Sequence, residues 1–281
     1  MRLRSLLFVP GDRPERVATA AASGADAVIL DLEDSVAPVA KAAARAAVAR
    51  YLSEPAAVIR FVRVNPLDSD ALDADLAAVR GADGVMLPKA EGCDDIAALV
   101  ERMGTAAVPI LPVATETPRA VFALGGYAKV ADRLAGLTWG AEDLPAAIGA
   151  SAAREADGRY TPPYEIVRTL ALMGAHAAGV AAIETVYPAI KDLEGLAAYA
   201  ARGARDGFTG MMAIHPAQVA TINAAFTPSA EAVAEARAIV AAFAAAPGAG
   251  ALQLDGRMID APHLKQAHTI LSRVGEGDGG L

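Results

Sequence analysis

Short, continuously apolar runs recur along the chain, separated by longer Ala-rich helical stretches. The runs are SLLFVP (5–10), AVILDL (27–32), FVRVN (61–65), GVMLP (84–88), PILPVAT (109–115), GLTWG (136–140), IETVY (183–187) and GFTGMMAIH (207–215). Most lack the apolar/polar alternation of a one-sided sheet, which is the mark of parallel strands covered on both faces. Helices are expected between them, at 41–51, 70–80, 94–103 and 118–129. Four runs directly follow a Gly-containing turn (GADAV, GADGV, LAGLT and RDGFT), the signature of a helix exit leading into the next strand. Eight such repeats predict an α/β fold, a (β/α)8 TIM barrel. A doubly wound open sheet is the alternative. It usually carries a Gly-rich phosphate loop after its first strand, whereas this first strand ends VPGDRPER.

The barrel is expected over 1–225, with a C-terminal helical extension or lid over 226–281. Segment 141–182 is longer than the other connections, and its ASAAREADGRYTPPYE reads as a loop with an extra helical turn. Past the eighth strand come a long helix (229–246), a Gly/Pro break at PGAGAL, and a short extended stretch. A last helix begins near Pro262, and the polar tail GEGDGGL is expected to fray.

Composition narrows the class. With 281 residues, 54% apolar and 21% charged, the chain can bury a sizeable core and is not intrinsically disordered. Its single cysteine, Cys93, cannot form an internal disulfide, which fits a reducing compartment. The 25 Lys and Arg against 33 Asp and Glu give a charge of −8 and argue against nucleic acid as the main partner. The first apolar run stops at Pro10-Gly11, too early for a secretory core, and the stretch 238–246 falls short of the roughly 18–20 residues that span a bilayer. The expectation is a cytoplasmic protein without a membrane partner.

Catalytic groups of a parallel barrel sit at the C-terminal ends of its strands. Reading those ends gives Asp31, Glu33 and Asp34, then Arg63 and Asn65, Lys89, Glu116, Glu142 and Asp143, Glu184 or Tyr187, and His215. A single acid after a strand is commonly a helix N-cap, but so many charges converging on one mouth exceed what capping needs. Crowded carboxylates repel each other and favour a hard divalent cation, and Mg2+ takes one or two of them plus water and substrate oxygens. Glu116 and Asp143 follow neighbouring strands; they read either as its ligands or as N-caps of helices starting near Pro118 and Leu144. Arg63, inside an apolar run, reads either as a salt-bridge partner of Asp31 or Glu33, or as a fork for a substrate carboxylate or enolate oxygen. Lys89 reads as a strand-exit lysine paired with Glu91 or Glu116 in preference to a Schiff-base lysine. His215 is expected to fix the last strand-to-helix turn and Trp139 to lie in the core.

The runs RSLLFVPGDRPER, GADAVILDLEDSVAPVAKAAAR, RVNPL, GVMLPKAE, ATETPRAV, WGAEDLPAAIG, VYPAIKDLEGL and MAIHPAQVATIN together resemble the citrate lyase β-subunit family. That family lies within the HpcH/HpaI aldolase and citrate lyase superfamily, with malyl-CoA and citramalyl-CoA lyases. The resemblance extends from Arg4 to near residue 274. It implies a (β/α)8 barrel, Mg2+ dependence, a CoA or carrier-protein thioester cleaved to a keto acid, and a homotrimer. Residue by residue, it implies Glu116 and Asp143 as metal ligands, with Glu116 also touching metal-bound substrate. Arg63 is implied as the arginine on the substrate's carboxylate or thioester oxygen, and Glu33 and Asp34 as an acidic pair near the metal. Arg13, Arg16, Lys41 and Arg45 match contacts to CoA phosphates. Asp260 matches an aspartate that closes over a neighbouring subunit's site; in the residues alone it reads equally as the cap of the last helix. The activity expected is carbon–carbon cleavage of a β-hydroxyacyl-CoA. The alternatives are a citrate lyase complex subunit, an aldolase on free acids, and a malyl-CoA-type thioesterase.

Overall fold

A computed structural model describes residues 1–275; the tail beyond Gly275, including most of the GEGDGGL stretch, lies outside the described residues. The chain divides into two compact units, Met1–Asn223 and Ala224 onward.

In the first unit, strand and helix alternate throughout. In chain order come β1 (Ser5–Pro10), α1 (Pro14–Ala21), β2 (Ala27–Asp31), α2 (Lys41–Leu52), β3 (Ile59–Arg63), α3 (Leu72–Ala78), β4 (Gly84–Leu87) and α4 (Cys93–Met103). Then come β5 (Ile110–Pro112), α5 (Pro118–Ala123), β6 (Leu137–Thr138), α6 (Leu144–Ile148), α7 (Pro162–Ala178), β7 (Ala182–Glu184), α8 (Leu193–Asp206), β8 (Gly210–Ala213) and α9 (Val219–Ala225), which runs past the unit boundary. The eight strands form one parallel sheet in the order 5-4-3-2-1-8-7-6. The remaining gap, between β5 and β6, is closed by isolated parallel bridges, Ile110 to Leu134 and Val113 to Thr138. This is the (β/α)8 barrel that the repeat predicts, and an open sheet is ruled out.

β2, β4 and β8 are buried at every residue, as their unbroken apolar runs require. Leu6, Ile29, Phe61, Met86, Leu111, Ile183 and Met212 pack together as the barrel's interior cluster. Gly84 is fixed by that packing: a Cβ there would collide with the Phe61 ring. Away from the mouth, Asp26 just before β2 accepts from the Arg4 backbone at 2.8 Å and from Arg4 Nε and Nη2 at 2.9 and 2.7 Å, tying β1 to the entry of β2.

The helix expected over 118–129 is shorter. α5 ends at Ala123 and 3-10 turns run from Leu124 to Arg133 with a break at Val130. Gly125-Gly126 explains the change, since two glycines in succession favour the unfolded backbone over helix. The long 141–182 connection holds two helices, α6 and α7, where one extra turn was expected.

The second unit contains α10 (Ala230–Ala245), the strands β9 (Ala251–Leu254) and β10 (Arg257–Asp260), and α11 (Ala261–Arg273). β9 and β10 form an antiparallel hairpin, of which the sequence reading foresaw only an extended stretch. Ala236, Ile239, Ile259, Ala267 and Leu271 make its core. Among the described residues no helix is long and apolar enough to cross a membrane.

Candidate active site

Asp31 ends β2 and is almost wholly buried. It accepts from Arg63 Nε and Nη2, both at 2.7 Å, and from the amides of Glu33 and Ser35 at 3.0 and 3.1 Å. Burial works to raise its pKa, but the Arg63 fork and these amides outweigh burial and hold the carboxyl below its ordinary value. The other end of the fork, Nη1, lies 3.0 Å from Glu33 Oε2. That oxygen is buried and has no aligned hydrogen-bond donor among the described residues. The guanidinium also rests over the Phe8 ring, 4.9 Å from its centre. Arg63 therefore has both partners that the sequence allowed, and its side chain keeps 15% of its surface open.

Lys89 lies two residues past β4 with φ +52°, in the left-handed region that a residue other than glycine seldom occupies. This turn gives the residue two contacts. Its amide donates to Glu116 Oε2 at 2.5 Å, and its ammonium reaches Glu33 Oε1 at 2.8 Å and comes within 4.0 Å of Asp143 Oδ1. The expected ammonium partners, Glu91 and Glu116, are corrected to Glu33. Glu91 instead accepts from the Thr117 hydroxyl at 2.7 Å, while Glu116 receives the backbone of Lys89. Burial works to lower the Lys89 pKa, but the bond to Glu33 raises it above the ordinary value, so the amine stays charged and is a poor Schiff-base nucleophile. Burial pushes Glu33 the other way, upward, against the pull of Arg63 and Lys89.

Glu116 and Asp143 face each other across the β5–β6 gap. Neither acts as a helix cap. The N-cap of α5 is Thr117, whose hydroxyl accepts from the Ala120 amide at 3.2 Å. Asp143 stands at the N-cap position of α6 but makes no side-chain cap bond. Both carboxyls are left for other work. Glu116 is 5% exposed, and burial together with hydrogen-bonding contact to Asp143 pushes its pKa up to about 8 against the opposing Lys89 amide. Asp143 keeps 41% of its side chain open. Glu116 fits here because Gly140 has no side chain: a Cβ at Gly140 would stand 3.1 Å from Glu116 Cγ and from Val113 Cγ1. Among the described residues no three His, Cys, Asp or Glu side chains converge as a closed metal cage. An open site of two carboxylates suits Mg2+, which fills its remaining positions with water and substrate oxygens.

The other candidates separate by environment. Asp34 is exposed beside Glu33. Arg13 and Arg16 are exposed at the start of α1, just past the end of β1. Lys41 and Arg45 are not free in this way. The Lys41 ammonium is spent on the carbonyls of Leu32 and Glu33 (2.8 and 3.1 Å) and on Asn65 Oδ1 (2.8 Å). Arg45 pairs with buried Asp75 at 2.7 Å and with the Ala71 carbonyl at 3.2 Å. His215 Nδ1 accepts from the Ala217 amide at 3.2 Å and so fixes the turn after β8, as expected. Trp139 is in the core, and its indole N–H donates to Glu184 at 2.5 Å. Glu184 is in turn held by Arg168 at 2.6 Å and Tyr199 at 3.0 Å, so the β7 acid is part of an internal network. In the second unit, Asp260 occupies the N-cap of α11, with His263 Nδ1 at 2.5 Å from its Oδ1. His263 escaped the sequence reading; its i+3 spacing from the cap residue is the signal that could have found it.

The family model for HpcH/HpaI aldolase/citrate lyase matches residues 4–216. The chain belongs to this family. By that membership it is a carbon–carbon lyase by class. It is 41% identical over 270 residues to a citrate lyase subunit beta-like protein of Mycobacterium tuberculosis, covering 96% of this chain and 95% of that one. Two proteins of Cereibacter sphaeroides, a (3S)-malyl-CoA thioesterase and an L-malyl-CoA/beta-methylmalyl-CoA lyase, are 34% and 33% identical, each over 96% of this chain and 94% of its own length. Among solved structures, CitE of Mycobacterium tuberculosis in complex with magnesium, acetoacetate and coenzyme A superposes with a TM-score of 0.82 at 39% identity, covering 98% of this chain and 99% of that one.

Proposed function

We propose that the protein is an Mg2+-dependent lyase that cleaves, or forms, the carbon–carbon bond of a β-hydroxyacyl-CoA thioester by a retro-Claisen step. The observation that carries this reading is the uncapped pair Glu116 and Asp143, on either side of the β5–β6 seam and linked through Lys89 and Glu33 to the Arg63 fork. Together they would hold Mg2+, which when bound supplies Lewis-acid stabilisation of charge on the substrate's hydroxyl oxygen.

The remaining work falls to the chain's own residues. Asp31 holds two arms of the Arg63 guanidinium, and Nη1, beside Glu33, keeps a second N–H that would donate to the thioester oxygen as enolate charge develops. The hydroxyl gives its proton to solvent water at the mouth, the bond between the carbinol carbon and the α-carbon breaks, and a keto acid leaves. The bonding pair stays on the α-carbon as the thioester enolate. Asp260, contributed by a neighbouring subunit, then delivers a proton to that carbon, and by microscopic reversibility removes it in condensation. Lys89 keeps Glu33 and Glu116 in place and offsets their negative charge. Exposed Arg13 and Arg16 take the CoA phosphates, while Lys41 and Arg45 tie α2 to Asn65 and Asp75. A cytoplasmic setting suits a chain whose one cysteine is free.

A second reading, hydrolysis of a malyl-CoA-type thioester, is favoured by the 34% identity to a thioesterase with that substrate. One assay separates the two. Purified protein with Mg2+ is incubated with malyl-CoA, citramalyl-CoA, hydroxymethylglutaryl-CoA and citryl thioesters, and products are identified by mass. A keto acid with a shortened acyl-CoA supports the lyase. Free CoA with an intact hydroxy acid as the primary product supports the thioesterase, and turnover of none of them rejects both.

A further inference from the structure

The barrel's neighbouring strands are joined by regular ladders except at one place, between β5 and β6. There the backbone offers two bonds, Ala135 N–H to Ile110 O at 2.8 Å and Ala114 N–H to Thr138 O at 2.9 Å. Glu116 stands on one side of this seam and Asp143 on the other, so the width of the seam sets the separation of the two carboxylates. Thr115 spans it. Its side chain is fully buried, and its hydroxyl accepts from the Gly140 amide at 3.0 Å and donates to the Gly140 carbonyl at 3.1 Å. Both bonding directions of one threonine are used on the backbone of a single residue at the opposite strand end, its N–H and its C=O, which belong to successive peptide groups.

Gly140 is also the residue against which Glu116 rests. Gly140 has no Cβ, and the stem of Glu116 occupies the space next to it. On its other side, Gly140 follows Trp139, whose indole is fixed by Glu184, itself held by Arg168, Tyr199 and the Thr185 amide. Gly140 is thus anchored to the rigid β7 side and clasped to β5 by Thr115. Glu116 is the residue after Thr115, and Asp143 is three residues after Gly140.

We propose that Thr115 is a positioning residue that sets the spacing of Glu116 and Asp143 for the divalent cation by clasping the backbone N–H and C=O of Gly140 across the barrel's seam. The proposal rests on the reading of Glu116 and Asp143 as the cation's ligands. A general structural role would lower stability alone. A positioning role lowers cation affinity beyond what the loss of stability explains.

The test measures Mg2+ affinity by titration calorimetry, alongside melting temperature, in the unaltered protein and four variants. Thr115→Val preserves shape and removes both bonds, and it is expected to weaken Mg2+ binding by about 10- to 100-fold, the usual cost of removing an outer partner of a metal ligand. Thr115→Ser keeps the hydroxyl and is expected to bind Mg2+ close to the unaltered protein. Thr138→Val removes a buried hydroxyl on the other face of β6, where it donates to Ile183 O at 3.0 Å, and is expected to lose melting temperature while keeping Mg2+ affinity. If Thr115→Val does not fold, Thr115→Ala takes its place in the comparison. Unchanged Mg2+ affinity in the folded variant without the hydroxyl overturns the clasp. So does equal loss in Thr115→Ser, or equal loss of Mg2+ affinity in Thr138→Val. Glu116→Gln is the separate check on the ligand reading: if it binds Mg2+ normally, that reading fails and the clasp with it. If it loses binding while Thr115→Val retains it, only the clasp fails.

Discussion

Asp31 and Arg63 are register partners across β2 and β3, and the carboxylate grips two arms of the guanidinium at 2.7 Å each. The two residues end their strands at the same level, so the ion pair is built into the parallel ladder. Because Asp31 also accepts two backbone amides, it cannot swing away, and Arg63 is aimed as well as charged. Burial would lower the Arg63 pKa, but Asp31 and then Glu33 outweigh burial and raise it. The guanidinium is a permanent cation at the mouth.

Arg63→Lys tests what that aim is for. Lysine keeps the charge and loses the planar fork, so it cannot hold Asp31 at two points and still reach the mouth. The expected outcome is a fall in kcat of roughly 10²- to 10³-fold, the range for loss of one oxyanion donor. Mg2+ affinity should change little, and the fold should stay intact. Steady-state kinetics with near-normal kcat and KM would show that Arg63 only closes a salt bridge.

At the opposite end of the barrel, Asp26 gives a pH dependence of stability. Burial works to raise its pKa, but the bonds from the Arg4 side chain and backbone hold it below the ordinary value. A carboxyl whose folded pKa is depressed contributes stability that is present above its unfolded pKa, near 3.8, and lost as pH falls through the folded value. Asp26→Asn should therefore cost roughly 1.5–3 kcal/mol at pH 7, the range for a hydrogen bond to a charged group. The deficit should shrink progressively below pH 4. Urea unfolding from pH 7 to pH 3 measures it, and a deficit that stays constant with pH would remove the ion pair as its cause.

Much of this site was readable because the chemistry stands next to the strand signal. Glu116 and Asp143 each follow a short apolar run, and the barrel's handed alternation puts both at one mouth. What the sequence did not carry depends on backbone geometry. The Lys89 ammonium reaches Glu33 only because Lys89 adopts a positive φ, which no residue pattern announces. Thr115 reads as an ordinary β-branched strand residue until the seam beside it is seen to lack a ladder. The strand expected over 136–140 shrinks to Leu137–Thr138 for the same reason, since it has a regular partner on one side only. The hairpin of the second unit was within reach. Asp255-Gly256, with φ of 51° and 78°, is the two-residue turn that joins antiparallel strands, and it lies between two apolar runs.

Assembly is testable from one helix face. Ile166, Leu170 and Met173 are exposed along α7 at helical spacing, and Phe122 on the adjacent α5 is 92% exposed. Apolar side chains grouped in this way mark an interaction surface. The homotrimer implied by the family resemblance would cover them. Light scattering at micromolar concentration should give the mass of three chains, and Leu170→Lys should lower the mass without changing the helical signal. A monomeric mass for the unaltered protein would contradict this.

Asp260 separates stability from chemistry most sharply, because its position at the N-cap of α11 allows one substitution to preserve the first and remove the second. Asparagine caps a helix about as well as aspartate, whereas alanine costs about 1 kcal/mol. Only aspartate can carry the proton. Asp260→Asn should therefore melt like the unaltered protein and lose roughly 10²- to 10⁴-fold in kcat, the range for a general acid–base. Asp260→Ala should lose the same activity and some stability as well. If Asp260→Asn is fully active, capping is the whole of its role. His263, 2.5 Å from the Asp260 carboxylate, orients it, so His263→Ala should lower kcat by less than Asp260→Asn does. A role in a neighbouring subunit's site makes a further demand. Mixing inactive Asp260→Asn chains with inactive Arg63→Ala chains should restore activity, because some mixed assemblies pair an intact barrel with an intact aspartate. Subunit exchange confirmed by mass, with no activity regained, would rule out a role for Asp260 in a neighbouring subunit's site.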